Sequence, residues 1–235
     1  MKSVGLCGLL LCATALTPSA SAASFQINES FGDITTLAGA GWTVVNNSTP
    51  GGLTSWFQGT DALTAQSGSP DSYIAANFNA AAFGGNISLW LITPEVTLAN
   101  GVALSFYTAS TQGAPDNLEI RYSASGLSSN VGATDTSVGD FSNLLFAINP
   151  GLEPTGYPGA WALETATISG LSAPVSGRFA VRYVVPDTST NGDFIGIDTL
   201  GVSAPVPEPS GVALSMLGLA ALLSLARSRR KRNSQ

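Results

Sequence analysis

From Ser24 to Ala204 the chain repeats one pattern, a short apolar or alternating run followed by a cluster of turn residues. The runs include "GWTVVN", "SYIAANF", "ISLWLITP", "VALSFYTAS", "NLEIRYSA", "GRFAVRYVV" and "FIGIDTLGVS". Separators such as "NNSTPGG", "QSGSPD" and "STQGAPDN" supply the Gly, Pro, Asn and Asp that close turns. Helix-period stretches and heptads are missing between them. Runs this short, rich in Val, Ile, Thr and aromatics, predict an all-β sandwich of roughly ten strands. About 180 residues suffice for one sizeable core.

The two ends differ from this body. Lys2, the apolar "VGLCGLLLCATAL" and the small-residue "SASA" form a secretory signal peptide over residues 1–22. Leu11 before Cys12 argues against a lipoprotein signal. Both cysteines, Cys7 and Cys12, fall inside this segment, so the exported body has no disulfide and no thiol chemistry. At the other end, Pro207-Glu208-Pro209 precedes an apolar run of about sixteen residues, Gly211 to Ala226, and the basic "RSRRKR". That run is barely long enough to span a bilayer, which takes about twenty residues. The arginines would hold its end in the cytoplasm.

Charge narrows the partners. Between Ser24 and Ala204 fourteen Asp or Glu face only Arg121, Arg178 and Arg182, a net charge of −11 that the basic tail conceals. Such a surface repels nucleic acid and anionic membranes. Histidine is absent from the whole chain, and this stretch also lacks lysine and cysteine. Serine–histidine and cysteine–histidine nucleophiles, Schiff-base lysines and histidine-bound zinc are therefore excluded. Only carboxylate chemistry is left, and spacing singles out no catalytic pair.

The C-terminal "VPEPSGVALSMLGLAALLSLARSRRKR" closely resembles the PEP-CTERM sorting signal of Gram-negative bacteria, and the tag is placed at residues 205–232. The resemblance implies an exosortase that removes the tail during export. The precursor would sit briefly in the inner membrane, and the product at the cell surface or outside. The body, residues 24–204, resembles the choice-of-anchor J family through "ESFGDITTLAGAGWTVVNNS", "ISLWLITPEVTLANGVALSFYT" and "GDFIGIDTLGVS". That likeness implies a jelly-roll-like sandwich without a defined ligand. A non-enzymatic surface or matrix protein associated with extracellular polysaccharide or adhesion is the first functional reading. A carbohydrate-binding module or a carboxylate-based carbohydrate enzyme is the second. A purely structural surface protein is the third.

Candidate site residues follow from alternation. Trp90 sits in an apolar run and reads as core, whereas Trp56 and Trp161 flank loops and are candidates to stack on a sugar. Arg121 and Arg178 read as surface charges on strands. Asp135 and Asp140 read as turn-solvating loop acids, with a cation as the other option. Period-2 alternation puts Glu29 among Phe25, Ile27 and Phe31, and Asp198 among Phe194, Leu200 and Val202. In the jelly rolls this chain resembles, the terminal strands lie side by side, which would bring the two carboxylates together. Two buried carboxylates need compensation. A structural calcium ion is the expected answer, its shell completed by loop oxygens of Asn191 or Asp193.

Overall fold

The computed structural model describes residues 25–204. The signal peptide and the tail with Pro207, Glu208 and Pro209 lie outside the described residues. In chain order the strands are β1 (Phe25–Glu29), β2 (Thr43–Asn46), β3 (Thr49–Gly51), β4 (Phe57–Gln58), β5 (Ile74–Asn77), β6 (Ala81–Ile92) and β7 (Val96–Leu98). There follow β8 (Ala103–Ser110), β9 (Leu118–Ser123), β10 (Asn143–Ile148), β11 (Ala162–Thr167), β12 (Val175–Val185) and β13 (Phe194–Ser203). Two single-turn 3-10 helices, Ile34–Thr36 and Phe78–Ala80, are the only helical pieces among the described residues.

The strands form an all-β sandwich of two antiparallel sheets. The first has the order β11-β8-β13-β5-β4, with β1 also on β13. The second has the order β10-β9-β12-β6-β2, with β3 on β6 and β7 on β12. Alternation explains the core. Phe179, Val181, Tyr183 and Val185 of β12 and Ile87, Leu89 and Leu91 of β6 project inward. They meet Leu104 and Phe106 of β8 and Ile195 and Ile197 of β13, and all these side chains are buried.

Antiparallel sheets usually leave one face to water. Here long loops cover part of both outer faces. On the second sheet the segment 124–142 lays Val131 and Phe141 over Trp90, Ile92 and Ala180. On the first, Leu63 and Ala65 from the segment 59–72, together with Trp161, pack over Tyr73, Ala75 and Phe194. This double burial is why β6 and β13 read as nearly continuous apolar runs. Trp90 is thus fully buried, but on the outer face of its sheet rather than between the sheets.

Register fixes the poles of the domain. Phe25 pairs with Ser203, so the chain enters and leaves the sandwich at one end. Ser110 pairs with Ile195 and Val185 with Ile87, so the 111–117 and 186–193 connections lie at the other end. The corner around Phe78–Ala80 lies there too, since Asn77 pairs with Phe194.

Candidate functional site

At the pole away from the chain ends, the outer face of the second sheet carries a groove of about 300 Å³. Its walls include Asn86 of β6, Arg182 and Val184 of β12, Pro186, and Asp135 and Thr136 of the crossing loop. Even-numbered positions of β12 point to this face, as do Ser88 and Trp90 of β6 and Glu119 and Arg121 of β9.

The floor is a charged network. Arg182 is buried and donates from Nε and Nη2 to the Ser88 hydroxyl at 3.1 and 3.0 Å. Its Nη1 meets Glu119 Oε2 at 3.0 Å, and Nη2 also donates to the Asp135 carbonyl. The guanidinium lies 4.9 Å from the centre of the Trp90 ring, a cation–π contact. Trp90 Nε1 donates to the same serine at 3.1 Å. Arg121 Nε reaches Glu119 Oε2 at 2.8 Å and its Nη1 reaches the Phe141 carbonyl at 3.2 Å. Burial pushes the Glu119 carboxyl up, but Arg121 and Arg182 outweigh it and hold the group below its ordinary value. Burial in turn lowers the Arg182 value against the opposing pull of Glu119.

At the rim, Asn86 Nδ2 donates to Asp135 Oδ2 at 2.7 Å, and Asn86 Oδ1 accepts from the Asp187 amide at 3.2 Å. Asp135 Oδ1 is left to accept from a ligand, beside the exposed Thr136 hydroxyl. With Arg182 tied to protein partners, the groove offers acceptors backed by an apolar wall of Val184 and Pro186.

Several expected residues are placed differently. Trp56 is not ligand-facing: it is 7% exposed and belongs to the inter-sheet core. Trp161 is half-buried, donates from Nε1 to the Thr64 carbonyl at 2.7 Å and meets the Tyr73 ring edge-on. Arg178 is not a surface charge either. It is buried, its Nη2 on the Gly41 carbonyl at 2.9 Å and its Nη1 on Thr43 Oγ1 at 3.2 Å.

The four residues expected to share a calcium ion do not converge. A β-bulge between Asp198 and Gly201, with Thr199 at φ 50°, breaks the alternation of β13. Leu200 and Val202 therefore face the core, while Asp198 shares the outward side with Phe194 and Gly196. There Asp198 Oδ2 accepts from the Ser67 amide at 3.0 Å and Oδ1 from Thr199 Oγ1 at 3.1 Å. Glu29 lies opposite Leu200, and its Oε1 accepts from the Phe31 amide at 2.7 Å. Asp193 sits five residues before Asp198 along an extended strand, a separation of roughly 16 Å. Its Oδ2 accepts from the Gly113 amide at 2.7 Å and from Thr111 Oγ1. Asn191 Nδ2 donates to the Pro186 carbonyl at 3.0 Å. Among the described residues no three Asp, Glu, His or Cys are grouped so as to hold a metal. The residues present do not fit the expected shell.

The network under the groove went unread in the sequence, although its signal is there. Glu119 and Arg121 alternate against Leu118, Ile120 and Tyr122, and Arg182 alternates against Val181 and Tyr183. Opposite charges on the polar face of two such strands point to a shared surface if the strands pair, and they do, Arg182 lying opposite Glu119.

The fold and this site define a two-sheet β-sandwich with a groove on an outer sheet face. No protein-family model matches the chain, and no curated protein matches it. Among solved structures it is similar to the K2 cleaved adhesin domain of Lys-gingipain, with a TM-score of 0.52 at 20% identity over 76% of this chain and 99% of that one. The K3 cleaved adhesin domain of Lys-gingipain from Porphyromonas gingivalis gives 0.50 at 17% identity over 77% of this chain and 100% of that one. The K1 domain from the same organism gives 0.50 at 20% identity over 76% and 97%. At these identities the likeness is one of fold.

Proposed function

We propose that this chain is an exported, non-enzymatic protein of the cell surface or extracellular matrix that binds polysaccharide through the groove beside Asp135. The groove itself carries this reading: carboxylate and hydroxyl acceptors stand beside an apolar wall, at the pole opposite the chain ends. A sugar offers hydroxyl donors at its edge and C–H groups on its face, which matches that lining. The sandwich shared with adhesin domains and the acidic surface, suited to neutral polymers, both agree with it. A carbohydrate enzyme is disfavoured because glycoside hydrolysis needs two carboxyl groups flanking one bond. Asp135 is the only carboxylate among the residues lining the groove.

A glycan array probed with the 24–204 domain tests this directly. Binding to at least one polysaccharide class is expected, and Asp135→Asn is expected to weaken it about tenfold, close to 1.4 kcal/mol. A domain that binds nothing on the array, or a variant indistinguishable from wild type, would defeat the reading.

Export is proposed to run through the tail. An exosortase would read Pro207-Glu208-Pro209, and the mature protein in a host carrying that enzyme is expected to lack residues 211–235. Intact mass of the exported protein checks this, since retention of the basic end would contradict it. Alanines at 207–209 are expected to leave the precursor in the inner membrane.

A further inference from the structure

Beside the groove the domain changes character. Leu53 is 95% exposed, Phe83 87% and Phe78 45%, three of the seven exposed large apolar side chains among the described residues. Backbone pairing sets Leu53 beside the Phe78–Ala80 turn, and Phe83 follows on the bulged start of β6. Gly51 pairs with Ala81, the Gly52 amide donates to the Ala80 carbonyl at 3.2 Å, and the Leu53 amide donates to the Asn79 carbonyl at 2.8 Å. No charged residue occurs in residues 34–60 or 72–94, the two stretches that build this rim. Isolated exposed apolar residues are ordinary, but a cluster calls for an occupant.

The rim is continuous with the groove. Phe83 lies three residues before Asn86, on the bulged part of β6 where Ala81 to Asn86 run opposite Thr49 to Gly51. Gly84, at φ 75° with open space where a Cβ would stand, leaves the Phe83 ring without cover from its own turn. The Thr188 amide donates to the Gly85 carbonyl at 2.9 Å, tying the turn to the 186–193 connection that walls the groove.

We infer that the binding surface runs from Asp135 across this rim to Phe83, and that its ligand is a neutral, extended polysaccharide rather than an anionic one. This rests on the reading of the groove as a glycan site and adds a second contact and a charge class to it. Aromatic faces pack against the C–H faces of sugar rings, burying apolar area while the hydroxyls stay at the edge. Hydroxyl donors suit Asp135 Oδ1 and Thr136. An anionic polymer would meet the Asp135 carboxylate with no free cation in the groove, because Arg182 is committed to Ser88, Glu119 and the Asp135 carbonyl. A second copy of this chain is a poorer occupant, because two domains of net charge −11 repel as they approach.

Affinity electrophoresis of the 24–204 domain through gels containing galactomannan, mixed-linkage β-glucan or alginate separates the outcomes, with thermal melts and sedimentation run in parallel. The domain carries every strand of both sheets, so it can be tested alone. The wild type is expected to be retarded by at least one neutral polymer and not by alginate. Phe83→Ala is expected to weaken retardation about tenfold with an unchanged melt. Retardation of Phe83→Ala equal to wild type, stronger retardation by alginate, or a dimer that dissociates in Phe83→Ala would each overturn the inference. If Asp135→Asn weakens binding while Phe83→Ala does not, the groove reading survives alone. If the wild type is retarded by none of the polymers, both fall.

Discussion

Replacing Arg182 with alanine is expected to lower the stability of the 24–204 domain by about 3–5 kcal/mol, the range for breaking one side of a buried ion pair. Arg182 is 4% exposed, and loss of its side chain leaves several groups short of partners. Glu119 keeps Arg121 but loses its second cation, on a carboxylate that burial alone would push up. Trp90 loses the guanidinium over its ring, and the truncated side chain leaves a cavity beneath the crossing loop. That loop also loses the tie between Arg182 and the Asp135 carbonyl. Arg182→Met separates packing from charge, because it refills much of the volume without restoring the pair. It is expected to recover part of the loss but not the groove, whose Asp135 is held in place from below by the guanidinium. Urea unfolding read as a shift in midpoint at constant slope measures the stability term. A loss below about 1 kcal/mol in Arg182→Ala, the size of an exposed pair, would show that the network contributes no more than surface charges do.

The same residues mark where the sequence was readable. Strand identity was legible because β8, β9 and β12 alternate cleanly, and Leu118, Ile120, Val181 and Tyr183 are all buried where period 2 puts them. The outer faces were not legible. Trp90 and Phe194 read as inter-sheet core because alternation cannot tell which of two faces a loop will cover. The segment 124–142 has no periodicity to announce that Val131 and Phe141 will seal one of them. The expected pairing of Glu29 with Asp198 failed at a single residue. Thr199 carries the positive φ of the bulge, a conformation that a β-branched residue seldom adopts, so nothing local warned that the face would change. Trp56 looked like a loop aromatic because its neighbours are turn residues. In the structure it is carried into the core beside the short strand β4. The groove needed the tertiary approach of Asp135 to Asn86, across 49 positions of chain.

Asp116→Asn is expected to remove a pH dependence that the wild type shows between about pH 4 and pH 6. Asp116 is fully buried ahead of β9, where its Oδ1 accepts from the Tyr183 hydroxyl at 2.6 Å and the Asp193 amide at 2.8 Å. Its Oδ2 has no hydrogen-bond partner. Burial pushes its carboxyl from 3.8 up to about 6, the Tyr183 and Asp193 donors pulling the other way and the Asp193 charge adding to the rise. The folded state therefore binds the Asp116 proton more tightly than the unfolded chain does. The stability this contributes is complete below the unfolded value and is lost as pH rises through the folded one. A rise from 3.8 to about 6 corresponds to about 3 kcal/mol between the two limits. Glu119 works in the opposite sense: its lowered value gives stability that is present near neutrality and lost in acid. The wild-type curve thus sums opposing slopes, and only the difference between wild type and Asp116→Asn isolates the buried acid. Asparagine keeps an oxygen for Tyr183 and Asp193 and never ionises. Relative to wild type, the variant should gain about 2.4 kcal/mol between pH 4 and pH 7, whatever its offset at pH 4. Urea midpoints taken at half-unit steps give the curve, and a flat difference over that window would mean that Asp116 titrates as it does in the unfolded chain.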